Sequence, residues 1–232
     1  ILMKILKITL IFLFSLSLSN AQSIAFADGN ATYGRENSFI TIDADTRYDV
    51  EGSKYLADAF MPAVVSTMPD KLFNIKYNIF SGEMEVQSTN NKAYALNKYR
   101  KDIVITFIDS KATYQLFDYI NSDNMMQLGY FLLLNRGENK ILIKEKIIFL
   151  EEKPSKTGYD EHRPPQYKRL DDKYYVKTSG SSNALELPKN KNKFAELFPK
   201  NKSDILSFIK SNKIKLNKED DLKKIIKYIN SL

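Results

Sequence analysis

The sequence predicts an α+β protein: a mostly antiparallel β-sheet, as a curled sheet, a sandwich or a partly open barrel, followed by two to three C-terminal helices. Three observations point there. Apolar and polar residues alternate with a period of two over 72–88, the pattern of a strand with one buried and one wet face. Short β-branched and aromatic segments follow one another through glycine-containing turns. After Pro188 the apolar spacing lengthens to three and four residues, so strands come first and helices last.

The chain opens differently. Ile1 and Leu2 read as an upstream extension and Met3 as the natural start. Lys4 and Lys7 precede an almost wholly apolar run over 8–18, and small residues stand at Ser19 and Ala21. A basic stretch, an apolar stretch and a small-x-small end form a secretory signal peptide. The run is roughly half of the ~20 residues needed to cross a bilayer. Cleavage is expected after Ala21, with a second possible site at Ala27. Residues 22–37 are poor in apolar side chains and are expected to form a flexible leader.

The β-rich domain is placed at 38–188. Phe39, Ile40 and Ile42 suggest a first short strand, and a loop then runs through 55–60 to Pro62, read as a stop. Phe73, Ile75, Tyr77 and Ile79 share one strand face. Ser81-Gly82 reads as a two-residue turn, after which Met84 and Val86 resume the alternation. Strands are further predicted over 103–108 and 114–120. Residues 128–134 and 141–150 form a second hairpin across Gly137. Glu145 interrupts the apolar face of that last strand, which marks a rim or bulge or a buried carboxylate. Residues 151–169 read as a polar loop punctuated by Pro154, Pro164 and Pro165. A strand over 174–178, a turn over 179–183 and a short strand over 184–187 close the domain.

In 189–232, Phe194, Leu197 and Phe198 lie on one helical face, and Pro199 ends that helix. Ser203 and Asn217 are the expected N-caps of two further helices. The last carries Leu222, Ile225, Ile226 and Ile229 at helical spacing, with Glu219, Asp220 and Asp221 in its first turn, where carboxylates oppose the helix dipole. Docking of this stripe on the sheet is expected in preference to a membrane surface.

The charge is uneven. The chain carries +7, and 189–232 holds twelve lysines against five acidic residues. Such a segment attracts anionic lipid, nucleic acid or an acidic partner. Export argues against nucleic acid, and so does the absence of arginine from the segment. The chain has no cysteine, which removes disulfides, thiolate metal sites and a lipid anchor on an N-terminal cysteine.

No residue pattern specifies catalysis. His162 is the single histidine, next to Asp160 and Glu161, without a nucleophile motif. One histidine and no cysteine argue against zinc; no metal and no cofactor are expected. Glu83 and Glu85 share the strand face opposite the core and read as a solvated edge. Paired with each other or with Glu145 they could in principle hydrolyse glycosides. Ser122, Asp123 and Asn124 do not fit a calcium loop. Six of the fourteen tyrosines fall in or beside strands: Tyr77, Tyr114, Tyr119, Tyr130, Tyr174 and Tyr175. A large ring with a polar tip suits a binding surface as well as β packing, so these six are the candidate binding residues.

Gly52-Ser53-Lys54-Tyr55-Leu56 with Phe60, Lys76-Tyr77-Asn78-Ile79 before Met84-Glu85, Gly129-Tyr130-Phe131, Tyr174-Tyr175 and the closing Tyr228-Ile229-Asn230-Ser231-Leu232 resemble a family of uncharacterised exported proteins from Bacteroidota-type bacteria. Lys76 stands where that family is expected to carry arginine. The resemblance spans nearly the whole mature chain, implies the same domain outline and lends no site residues. Three functions follow as expectations, in this order. The first is a non-enzymatic binding module of the periplasm, cell envelope or exterior, its partner another envelope protein. The second is a barrel-like periplasmic carrier of a lipid or other apolar ligand. The third is a hydrolase using a carboxylate pair. No membrane span is expected once the signal is removed.

Overall fold

The computed structural model describes residues 50–88, 92–155 and 162–232, together with the backbone of 39–41. The predicted signal peptide, the leader and Asp160 and Glu161 lie outside the described residues. The elements are β1 (Phe39–Thr41), β2 (Met61–Val65), β3 (Met68–Asn78), β4 (Glu83–Gln87), β5 (Ala93–Leu96), β6 (Val104–Phe107), β7 (Thr113–Ile120), β8 (Met126–Leu133), β9 (Lys140–Lys144), β10 (Ile147–Leu150), β11 (Gln166–Arg169), β12 (Lys173–Lys177) and β13 (Leu185–Glu186). The helices α1 (Lys191–Glu196), α2 (Lys202–Ser211) and α3 (Glu219–Ile229) follow. The fold is the expected α+β arrangement, with antiparallel strands first and three helices last.

One eleven-stranded sheet runs in the order β1-β5-β4-β3-β2-β6-β7-β8-β9-β12-β13, and β10 pairs with β11 beside it. The sheet curls strongly. Ala184, just before β13, returns to β7: its N–H donates to the Asp118 carbonyl (2.8 Å), and its carbonyl accepts from the Ile120 N–H (3.2 Å). Strands β7, β8, β9, β12 and β13 therefore close into a small ring. Its interior holds Tyr119, Phe131, Leu142, Tyr175 and Ala184. Successive side chains on a strand take opposite faces, so the neighbouring residues Tyr114, Leu116 and Tyr130 point the other way, into a larger core shared with Phe73, Ile75, Tyr77, Met84, Ile105 and Phe107. The β10–β11 hairpin adds Ile147 and Tyr167 to this second core. It is tied back by an Glu51–Gln166 bridge, while Tyr55 bridges to Asn78.

The helices bury their apolar stripes on the same side of β9 and β12 as Ile141 and Val176. Leu222, Ile225, Ile226 and Ile229 of α3 are all buried, contributing roughly 1.5–3 kcal/mol each as an upper range. Phe208 of α2 stacks on Tyr228 of α3 at 4.1 Å. At the end of α3, Asn230 receives the Asn139 N–H at 2.9 Å and donates to the Asn139 carbonyl at 2.9 Å, fastening the helix to the β8–β9 turn.

Several elements differ from expectation for identifiable reasons. Pro62 lies inside β2 and does not stop the chain. It pairs with Asn74 on β3, and on the other side its carbonyl accepts the Ile108 N–H at 2.9 Å just past the end of β6, so the missing N–H falls where the β2–β6 ladder ends. The β3–β4 turn has four residues, because Asn78 ends the strand and its side chain accepts from the Ser81 N–H (3.1 Å). Strands β5 and β11 appear where no strand was expected. Their short, mixed sequences gain order from pairing with β4 and β10. The predicted strand over 141–150 breaks at Glu145 and Lys146 into β9 and β10. Ser203 and Asn217 cap no helix. A 3-10 turn over Pro199–Asn201 runs straight into α2, and α3 starts after Lys218 with no side-chain cap.

Candidate functional site

The break at Glu145 positions the polar centre of the larger core. Glu145 is only 6% exposed. Its carboxylate accepts the Tyr114 hydroxyl at 2.8 Å and pairs with Arg169 of β11 at 2.7 Å. Arg169 also reaches Asp172 at 3.1 Å, so Glu145 is bound from both the sheet and the covering hairpin. A buried carboxylate demands such partners. Of the two sequence readings of Glu145, burial and the strand break both apply.

Beside this triad, the rings of Tyr77 and Tyr114 lie 5.3 Å apart, and those of Tyr77 and Tyr130 6.1 Å apart. The hydroxyls of Tyr77 and Tyr130 are fully buried and have no hydrogen-bond partner among the described residues. Burial holds the phenols of Tyr77, Tyr114 and Tyr130 far above their ordinary range. The Glu145 charge adds to this for Tyr77 and Tyr114, and the Glu83 charge for Tyr77 and Tyr130. All three hydroxyls thus remain protonated in a negative field, and two of them have an unmet donor.

The six candidate tyrosines do not form one surface. Tyr77, Tyr114 and Tyr130 are at most 2% exposed and face the larger core. Tyr119 and Tyr175 lie inside the small ring, with Tyr119 donating to the Gln127 side chain at 2.7 Å and the two rings 5.5 Å apart. Burial pushes the Tyr175 phenol up to about 12. Tyr174 packs under the helices. Period-two patterning located these residues on strands, but a sheet that packs on both faces leaves no wet side for them.

A residue that pattern reading overlooked is Lys144, on the ring side of β9. Its amine lies 5.2 Å from the Phe131 ring centroid and 5.7 Å from that of Tyr119. It donates to the Tyr130 carbonyl at 3.1 Å. Gly129 makes the room: a Cβ there would stand 2.7 Å from the amine. Burial, then the neighbouring Lys98 charge, lowers the Lys144 amine to about 8.

The acidic candidates have separate partners. Glu85 is buried and accepts from the Asn78 side chain at 2.9 Å; it is not a solvated edge residue, because Asn78 covers its face of the β3–β4 hairpin. Glu83 pairs with Lys98 at 2.6 Å, and burial raises its carboxyl. His162 is exposed and lies 2.9 Å from Glu152. Asp123 and Asn124 form the β7–β8 turn, where the Asn121 side chain accepts from the Asp123 and Met125 N–H groups and Asn124 takes a positive φ.

The basic segment is displayed outward. Lys202, Lys223 and Lys224 pair with Glu196, Glu219 and Asp221. The other nine lysines of 189–232 are exposed and make no ion pair among the described residues. No described helix is long and apolar enough to cross a membrane. Comparison with protein-family models, curated proteins and solved structures returned no match, so function is read from this geometry alone.

Proposed function

We propose that the mature chain is an exported, non-enzymatic binding module of the cell envelope, and that it meets an acidic envelope protein through the lysines of its helical segment. The observation that carries this reading is the set of nine exposed lysines without ion-pair partners among the described residues. Uncompensated charge of one sign raises the encounter rate with an oppositely charged partner and disfavours like-charged ones. The apolar stripe of α3 is buried in the body, which removes the side that an interfacial helix would insert into lipid. Lysine is a point charge and not a planar fork, which suits carboxylate-rich protein surface better than base recognition.

The test is affinity capture from envelope extract with the mature chain and with a variant carrying Lys210→Glu, Lys213→Glu, Lys215→Glu and Lys218→Glu. All four side chains are exposed, so folding is expected to survive. An acidic protein held by the wild type and lost by the variant supports the proposal. A partner retained equally by both contradicts it.

The carrier reading has one observation in its favour, the two buried hydroxyls of Tyr77 and Tyr130 without partners among the described residues. They would hydrogen-bond the polar end of a small guest whose apolar part lies among the surrounding aromatics. Native mass spectrometry of protein purified from its source, with Tyr77→Phe as the comparison, tests it. A guest mass absent from the variant supports the carrier; bare chain in both speaks against it.

A further inference from the structure

The β10–β11 hairpin stands outside the main sheet. Its two strands leave β9 and β12, which pair as neighbours up to Lys144 and Lys173. The ladder breaks there. Residues 145–146 on one side and 170–172 on the other belong to no strand, and pairing resumes between Ile147 and Arg169. Both covalent attachments of the hairpin therefore lie side by side at one end. The Leu170 N–H holds them together by donating to the Lys146 carbonyl at 2.9 Å. Two short, adjacent connectors define one axis, about which a paired unit can turn without breaking its own ladder.

Away from this axis the hairpin lies on the larger core. Ile147 and Tyr167 are 5% and 8% exposed and pack with the core residues of the sheet. The Tyr167 ring lies 5.2 Å from the exposed ring of Phe80. The outer edge of β11 meets Glu51, whose N–H donates to the Pro165 carbonyl at 3.0 Å and whose carbonyl accepts the Tyr167 N–H at 2.8 Å. Gly52 permits this approach: its φ is +75°, and a Cβ there would collide with the Tyr167 carbonyl oxygen. Among the described residues no strand of the eleven-stranded sheet pairs with the hairpin, so lifting it breaks no ladder of the body.

We propose that the β10–β11 hairpin is a hinged cover that swings as a unit about the 145–146 and 170–172 connectors and uncovers the larger core. Elements that admit ligands are drawn from the parts of a fold that open at less cost than global unfolding. Opening here breaks the two bonds to Glu51 and exposes Ile147 and Tyr167, while the body keeps its sheet. The same core holds the hydroxyls of Tyr77 and Tyr130, two donors without partners among the described residues. Glu83 adds negative charge around both, and Glu145 around Tyr77. A carbonyl, ester or ether oxygen on an apolar molecule suits such donors, and a carboxylate does not. That a guest of this kind enters rests on the carrier reading; the movement of the hairpin does not.

The chain has no cysteine, so one introduced thiol reports its own site. Ile147→Cys places it on the underside of the hairpin. Leu116→Cys places it in the core below, at a 2% exposed position that pairs with Tyr130. Each folded variant is labelled with a chromogenic disulfide reagent at urea concentrations below its unfolding transition. A unit that opens alone exposes less surface than the whole chain, so its rate responds less steeply to urea. Both thiols are expected to react at least about tenfold faster than global unfolding allows, with less than about half its urea slope. Reaction of either thiol only at the full slope overturns the proposal.

Amide exchange of the unsubstituted chain, read by NMR, decides the same question without a variant and identifies the moving unit. The Tyr167 N–H, whose acceptor lies off the hairpin, is expected to exchange ahead of the Leu170 N–H and of the β10–β11 ladder. A ladder that exchanges together with Tyr167, or a Tyr167 N–H as slow as the β3–β4 ladder, overturns the proposal. Movement in both assays with no guest mass on the purified chain refutes the carrier reading and leaves the cover; a guest mass with an unmoving hairpin does the reverse.

Discussion

Three tyrosine hydroxyls within one core are expected to respond differently to the same deletion. Tyr114 gives its proton to Glu145, so Tyr114→Phe removes a partner from a buried carboxylate and is expected to cost about 1–3 kcal/mol. Tyr77 and Tyr130 bury a hydroxyl with no partner among the described residues. Tyr77→Phe and Tyr130→Phe are therefore expected to be neutral or to stabilise by about 1 kcal/mol, since each removes a desolvated, unsatisfied group. Urea denaturation of the three variants checks this. Destabilisation by Tyr77→Phe would mean that its hydroxyl has a partner after all, as the carrier reading requires.

Lys144 carries the residue-scale pH dependence. Its folded value of about 8 lies below the unfolded value of 10.5, so between these the unfolded chain binds more protons than the folded one. The contribution of this group to stability therefore rises with pH across that window and is lost as pH falls through about 8. Lys144→Met is accordingly expected to stabilise the fold at pH 7 by on the order of 2 kcal/mol, with the advantage shrinking as pH rises from 8 to 10. Thermal denaturation of both proteins across that range measures it.

At the scale of elements, the junction between α3 and the β8–β9 turn depends on one side chain. Asn230 both accepts from and donates to Asn139, and the same amide group closely approaches Gly137. Asn230→Ala is expected to destabilise by about 1–2 kcal/mol through these lost bonds. Gly137→Ala is expected to cost a similar amount by displacing the amide, and the double variant less than the sum. Guanidinium denaturation curves give the coupling. The strands that the sequence made legible here were those with their own alternation or apolar run, such as β3, β4, β7 and β8. Strands β5 and β11 were not, because four residues carry too little pattern and their order comes from neighbours distant in sequence. The helices were legible from their stripes, while their caps were not, since α2 continues a preceding 3-10 turn. Tyr77, Tyr114 and Tyr130 could be placed on strands, but the curl that turns them inward depends on the return of Ala184 to β7 and on the covering hairpin, both long-range pairings. Lys144 gave no periodic signal, and its environment depends on the absence of a side chain at Gly129.

At the scale of the whole molecule, the sheet and the helices divide the work. The curled sheet supplies a rigid body packed on both faces, and the helices are fixed to it through buried apolar stripes. The exposed lysines are thereby held on a stable support and not on a tail. This is the physical basis of the proposed function: positive charge without ion-pair partners among the described residues, held in position on a folded body. Direct tests of export begin with the amino terminus of the chain recovered outside the cytoplasm, which is expected to start at Gln22 or, from the second site, at Asp28. The most direct test of the binding claim is the salt dependence of affinity for the captured acidic partner. Ion pairs between exposed groups weaken as the screening length falls from about 10 Å at 0.1 M salt to about 3 Å at 1 M. The account predicts a dissociation constant that rises at least tenfold between those concentrations for the wild type. A constant that does not change with salt in the wild type would contradict it.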